Sequence, residues 1–85
     1  MYWDVTKVIP KGELTLWVSF ADGTNGYVKF LKNFLTGVFE PLKEPSFFRQ
    51  VFVSEGVVTW PGDVDIAPDS MYHEIKRHGE WILGE

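Results

Sequence analysis

The chain contains no cysteine, which removes disulfides, thiolate nucleophiles and cysteine-ligated zinc or iron–sulfur centres together. Stability therefore rests on packing. Long apolar runs are also missing. No stretch approaches the roughly 18 residues of a membrane-spanning helix. The opening MYWDVTKVIPKGE puts charges and a proline where a secretory leader needs an unbroken apolar segment. A soluble, cytoplasmic protein with no membrane contact is the expectation. Basic residues are scarce, with eight Lys and Arg against twelve Asp and Glu for a formal net charge of −4. Counterion release, which drives most nucleic-acid affinity, works against such a chain, so no direct nucleic-acid binding is expected.

What remains is an ordinary globular composition, 45% apolar and 24% charged, too hydrophobic for a disordered chain. Eighty-five residues leave room for one core and no second domain, so a single domain over residues 1–85 is expected, burying roughly 60–65% of its unfolded surface. The 16% aromatic share supplies large side chains to a core that would otherwise be thin.

Strand and turn signals run through most of the sequence. Residues 5–10 read as a first strand that ends where Pro10 removes a backbone donor, followed by a turn at Lys11 and Gly12. From Glu13 the pattern alternates, with Leu14, Leu16, Val18 and Phe20 on one side and Thr15, Trp17 and Ser19 on the other. Asp22-Gly23 punctuates, and Tyr27, Val28 and Phe30 resume the extended pattern, predicting a hairpin over residues 13–30. Residues 31–44 are apolar but aperiodic. Gly37 and Pro41 break any helix there, so a loop or single turn that tucks in Phe34, Phe39 and Leu42 is expected. Pro45 can open a short helical turn over residues 45–50. Residues 51–54 and 57–60 flank Glu55-Gly56, the signature of a tight second hairpin. Pro68 opens the clearest helix, residues 68–78. Met71, Tyr72 and Ile75 form its apolar face, Asp69 lies in its first turn, and Lys76, Arg77 and His78 lead to Gly79 as the C-cap. The expectation is an α+β fold: a small antiparallel sheet of two hairpins plus an N-terminal strand, with a short helical turn and a C-terminal helix. The tail Trp81-Ile82-Leu83 is apolar where chain ends are usually polar, so it either docks on its own domain or meets something else.

Candidate chemistry is thin. Asp63, Asp65 and Asp69 are the one group of carboxylates that a hard cation could use. A turn after Pro61-Gly62 and a helical first turn account for two of them without a metal. His73-Glu74 resembles the start of a zinc-protease helix, but the second histidine, His78, stands at i+5 rather than i+4, about 140° around the helix from the required face. Gly23-Thr24-Asn25-Gly26 has the glycines of a phosphate loop without a following Lys-Ser/Thr or helix. Ser19, Ser46, Ser54 and Ser70 stand in no nucleophile-elbow context. No catalytic residue and no cofactor is therefore expected. Trp3, Trp17, Trp60 and Trp81, with Phe47 and Phe48, could stack on bases or sugars, although core filling is the commoner use and is expected for Trp17 and Trp60. Trp3 and the tail residues Trp81, Ile82 and Leu83 are left as candidates for contact with a partner.

Several segments, taken in order, resemble a known family. They are LWVSFADG over residues 16–23, GVFEPL over 37–42, PSFFRQV over 45–51, Trp60-Pro61-Gly62, Asp65-Ile66-Ala67-Pro68, and Met71-Tyr72. Together they are similar to a small bacterial family catalogued only as domain of unknown function 2442, over about residues 5–75. The resemblance implies a compact α+β fold with an antiparallel sheet and a C-terminal helix, and it brings no established activity. It also implies a setting in which some members carry an appended helix-turn-helix domain and others are encoded beside small toxin-like proteins. No such appended domain is expected within these 85 residues.

The functional expectation is a non-catalytic protein-interaction or regulatory module, in one form the antitoxin-like partner of a small basic protein. The alternative is a small-molecule or metal sensor with its site between the sheet and residues 63–69. A homodimer paired through a free sheet edge near residues 5–10 is the further option.

Overall fold

The computed structural model describes residues 1–84, and their fold is α+β as expected. The elements run β1 (Val5–Pro10), β2 (Thr15–Phe20), β3 (Asn25–Phe30), two 3-10 segments (Lys32–Phe34 and Gly37–Lys43), α1 (Pro45–Phe48), β4 (Phe52–Ser54), β5 (Val57–Trp60), β6 (Val64–Ile66), α2 (Pro68–His78) and β7 (Glu80–Leu83). The first strand, the first hairpin and the long helix lie where the sequence places them.

The strands form two sheets rather than one, and this corrects the expected architecture in detail. The larger sheet has the order β1-β2-β3-β7, and the smaller the order β4-β5-β6. β1, β2 and β3 pair antiparallel, whereas β7 joins β3 in parallel, with Tyr27 opposite Glu80 and Phe30 opposite Leu83. The tail thus docks on its own sheet. The third strand of the smaller sheet, β6, lies between Pro61-Gly62 and Pro68.

Alternation along β2 and β3 decides what goes inside. Leu16, Val18 and Phe20 on β2, and Val28 and Phe30 on β3, are buried. The smaller sheet and α2 supply the opposing wall. Trp60 is fully buried, packs edge-on against Phe30 with ring centroids 6.0 Å apart, and donates its indole Nε1–H to the Phe48 carbonyl at 2.9 Å. That bond satisfies the one polar atom of the largest core side chain, which lets the indole be buried. Beneath it, the 3-10 segment Gly37–Lys43 contains Pro41 and buries Leu42, while Phe34 and Phe39 stack with centroids 4.9 Å apart. The proline that rules out an α-helix there is compatible with a 3-10 turn.

Helix α2 opens with Pro68, buries Met71, Tyr72 and Ile75, and ends at Gly79, whose φ of 82° and N–H bond to the Ile75 carbonyl form a left-handed cap. It lands directly on β3. A Cβ placed at Gly26 would stand 2.5 Å from the Gly79 carbonyl oxygen and 2.7 Å from Ile75 Cγ2. Glycine within a strand ordinarily costs about 0.5–1 kcal/mol relative to alanine, so Gly26→Ala should stabilise a sheet with nothing above it. Here the added methyl must push the helix end away. Gly26→Ala is therefore expected to lower stability by about 1–3 kcal/mol, read as a fall in the urea midpoint at unchanged slope. A rise in the midpoint would show that the helix does not sit this close.

Candidate functional site

The side chains that β1, β2 and β3 do not bury collect on the outer face of the larger sheet. Register places Ile9 opposite Trp17 and Trp17 opposite Tyr27, so three large side chains cross three strands in one row. β7 extends the row's neighbourhood: Lys29 lies opposite Ile82, and the Lys29 Nζ reaches Glu80 Oε1 at 3.0 Å. Tyr27 is 44% and Ile82 48% exposed. Single exposed apolar residues are unremarkable on any protein, but several gathered on one sheet face are not.

The same corner carries an open sheet edge. Tyr27 donates its N–H to the Gly79 carbonyl and Leu31 to the Leu83 carbonyl. In a parallel ladder this pattern turns residues 79, 81 and 83 toward β3 and leaves the backbone groups of Glu80 and Ile82 pointing away from it. Among the described residues β7 has no second neighbour in the sheet. A groove beside this edge is lined by Glu74, His78, Glu80, Trp81 and Ile82. The opposite edge, the one expected to be free, is guarded. β1 has a register shift between Val5 and Lys7, a proline at its end, and a bond from Val5 N–H to the Gly56 carbonyl of the smaller sheet. Bulges, lysines and prolines are the features that blunt strand edges, so of the larger sheet's two edges β7 is the less guarded.

The candidate residues from sequence separate accordingly. Of Trp3, Trp81, Ile82 and Leu83, only Ile82 faces solvent. Leu83 is buried, and Trp3 and Trp81 are half-buried against the core. Trp60 is core as expected, whereas Trp17 is half-buried on the outer face, because strand alternation puts it opposite Leu16 and Val18. Ile9 and Tyr27 are not among the sequence candidates for partner contact, although the alternation that marks β2 and β3 already assigns Tyr27 to Trp17's face. Asp63 sits in a turn at φ 65°, Asp65 is exposed on β6, and Asp69 is exposed in the first turn of α2. They do not converge, and among the described residues no group of three or more His, Asp and Glu side chains could hold a metal ion. His73 is exposed on α2, its ring edge-on to Tyr72 at 5.7 Å. Among the described residues no Asp, Glu, Lys, Arg, His, Asn, Gln, Ser or Thr side chain is buried.

Among the described residues two titratable groups are shifted, and they hold each other. Tyr72 donates its hydroxyl to Asp22 Oδ2 at 2.6 Å, and Asp22 Oδ1 accepts the Thr24 N–H at 2.9 Å. The phenol bond, then the Thr24 amide, holds the Asp22 carboxyl down from the ordinary 3.8 to about 2. The same carboxylate, with burial behind it, pushes the Tyr72 phenol up. Asp22 thus closes the β2–β3 turn through its own backbone neighbour and clamps α2 through Tyr72, whose ring also meets Phe20 and Tyr2 edge-on at 5.2 and 5.0 Å. This pair is a latch.

Fold and surface together define a two-sheet α+β protein whose larger sheet leaves one apolar-striped face and one edge uncovered. The chain belongs to the family described as Protein of unknown function (DUF2442), whose model matches residues 5–77 of the 85. The match starts with β1 and ends one residue short of the end of α2, so it contains Trp17 and Tyr27 while β7 lies beyond it. No curated protein and no solved structure matches the chain. Among the described residues no helix is long and apolar enough to cross a membrane.

The latch has a pH signature. A carboxyl whose folded value is lowered contributes stability that is complete above its unfolded value and is lost as pH falls through the folded one. The Tyr72→Phe protein is expected to melt below wild type by a constant margin above about pH 4, with the gap narrowing as pH falls toward about 2. On the alkaline side the raised phenol acts oppositely, and the gap narrows as pH rises past the ordinary tyrosine range. Thermal melts of both proteins across pH decide it, and a pH-independent gap would remove the ionised carboxylate from the bond.

Proposed function

We propose that the protein is a non-catalytic protein-interaction module that receives an extended segment of a basic partner protein along β7. The observation that carries this reading is the coincidence of an open edge and an apolar face at the same residues. Glu80 and Ile82 turn backbone donors and acceptors outward at the edge, and Ile82 and Tyr27 are exposed beside it. A strand added there gains main-chain hydrogen bonds for affinity and side-chain contacts for selectivity. Charge selects the partner. The chain carries a net −4, and the groove along the edge holds the carboxylates of Glu74 and Glu80. The Lys29–Glu80 pair is half-exposed on both sides, so it gives up little when a partner's cation competes for the carboxylate. Complementary charge speeds encounter and selects against acidic competitors. An antitoxin-like role, in which the acidic chain covers a basic RNA-acting protein, is the form of this reading that the charge favours.

The test compares the tagged wild-type protein with Ile82→Arg, Glu80→Lys and Val38→Arg in pull-downs from the native host, at low and moderate salt. Val38 is the control, because it is 69% exposed and belongs to the 3-10 segment Gly37–Lys43 rather than to the larger sheet. One small basic protein is expected at near-equal amount with wild type and Val38→Arg, weakened by salt, and lost with both β7 variants. Retention of that protein by the β7 variants would overturn the assignment of the surface. A salt-insensitive dimer of the wild type with no second protein, read by sedimentation, would assign the edge to self-pairing instead.

A further inference from the structure

Four of the eight basic residues, Lys11, Lys32, Lys43 and Arg49, come from segments far apart in the sequence. Three of them converge on one cavity. It lies where the β1–β2 turn meets the 3-10 segment Gly37–Lys43 and α1, and it holds about 240 Å³, the share of about eight water molecules in the liquid. Leu14, Leu42 and Phe48 give it an apolar floor, and Lys32, Lys43 and Arg49 stand at its mouth. Leu42 and Phe48 are buried, whereas the three cations are exposed. Glu13 also lines the cavity, which leaves three positive groups against one negative on a chain whose net charge is −4. Lys43 reaches Glu40 at 3.4 Å. Lys32 and Arg49 have no ion-pair partner among the described residues.

The wall built by the β1–β2 turn is strained. Leu14 adopts a φ of 51° and Gly12 a φ of 64°. A branched, bulky residue in the left-handed region is a costly conformation that persists only where its surroundings hold it. Here the Leu14 carbonyl accepts the Phe30 N–H at 2.9 Å, and Lys11 N–H bonds the Thr15 carbonyl at 2.8 Å. Both ends of the turn are thus held. An added Cβ on Gly12 would meet nothing within 4 Å, so this side of the cavity is open.

From this geometry we propose that the cavity binds a small organic anion: a carboxylate or phosphate group on an apolar body about the size of one aromatic ring. The apolar body lies against Leu14, Leu42 and Phe48, and the acid group faces Lys32 and Arg49. A guanidinium and an ammonium with no competing partner are the groups that favour an anion at such a mouth. This site is separate from the β7 surface and does not depend on it.

Trp60 supplies the readout. Its indole N–H is bonded to the Phe48 carbonyl at 2.9 Å, so a ligand against Phe48 shifts one of four tryptophan indole signals in a ¹H–¹⁵N spectrum. The full chain is titrated at pH 7 with benzoate, phenyl phosphate and the uncharged benzyl alcohol. A saturable shift of the Trp60 signal, with Trp17 unmoved, is expected for the two anions, and whichever binds tighter names the acid group. Benzyl alcohol should bind at least about tenfold more weakly. Lys32→Glu and Arg49→Glu should each weaken the anions by about tenfold or more, and increasing salt should weaken them too. Arg77→Glu changes the net charge equally and should not. If Arg49→Glu fails to fold, the exposed Lys32→Glu carries the comparison. Equal binding of benzyl alcohol, equal weakening by Arg77→Glu, or no saturable shift with any of the three compounds would overturn the proposal.

Discussion

Everything on the far side of the larger sheet depends on the missing side chain at residue 26. Because Gly26 offers no Cβ, the Gly79 carbonyl and the Ile75 side chain can rest on the β3 backbone, and the helix reaches its cap within bonding distance of the strand. Tyr27 then takes the Gly79 carbonyl, and the chain leaving the cap has one easy course, parallel to β3. The Tyr72–Asp22 bond secures the same helix from the side, at the turn that joins β2 to β3. Close approach at one residue and a short polar bond at another therefore set the direction of β7, and with it the edge and face that the larger sheet shows to solvent.

The α+β class, β1, the first hairpin and α2 were legible because their signals are local. Strict alternation over residues 14–20, Asp22-Gly23 at the turn, Pro68 at the helix start and Gly79 past its end each state a conformation within a few residues. β7 was not legible, since Trp81-Ile82-Leu83 has apolar residues but no pattern that names β3 as its partner, and the pairing crosses most of the chain. β6 was too short, at three residues between two prolines, to declare an alternation. The division into two sheets is likewise a matter of which strands meet. Gly37 and Pro41 correctly excluded an α-helix without indicating the 3-10 path that the segment takes. Trp17 misled for another reason: β2 carries large apolar side chains on both faces, and tryptophan's usual place in a core hid the meaning of its position in the alternation.

The candidate surfaces divide in the same way. Ile82 was noticed from sequence as part of an apolar tail, yet its two neighbours turn inward and only structure distinguishes them. Lys32, Lys43 and Arg49 are scattered among Glu13, Glu40 and Glu44, so linear charge counting sees three of each sign where folding makes a local positive mouth. An acidic chain can thus present anions along one groove and cations around one cavity, and its net charge describes neither.

β3 and β7 are hydrogen-bonded neighbours, yet the smaller sheet, α1 and α2 all lie between them in the chain. Closing so long a loop is entropically unfavourable until the intervening segments are in place. The parallel pair is therefore the contact of the larger sheet that spans the greatest length of chain. Without it β3 would be the outermost strand, and the groups that bond to β7 would themselves be unpaired. The edge at Glu80 and Ile82 thus exists only where the two strands are joined, so it couples the outer surface to the segments enclosed between them.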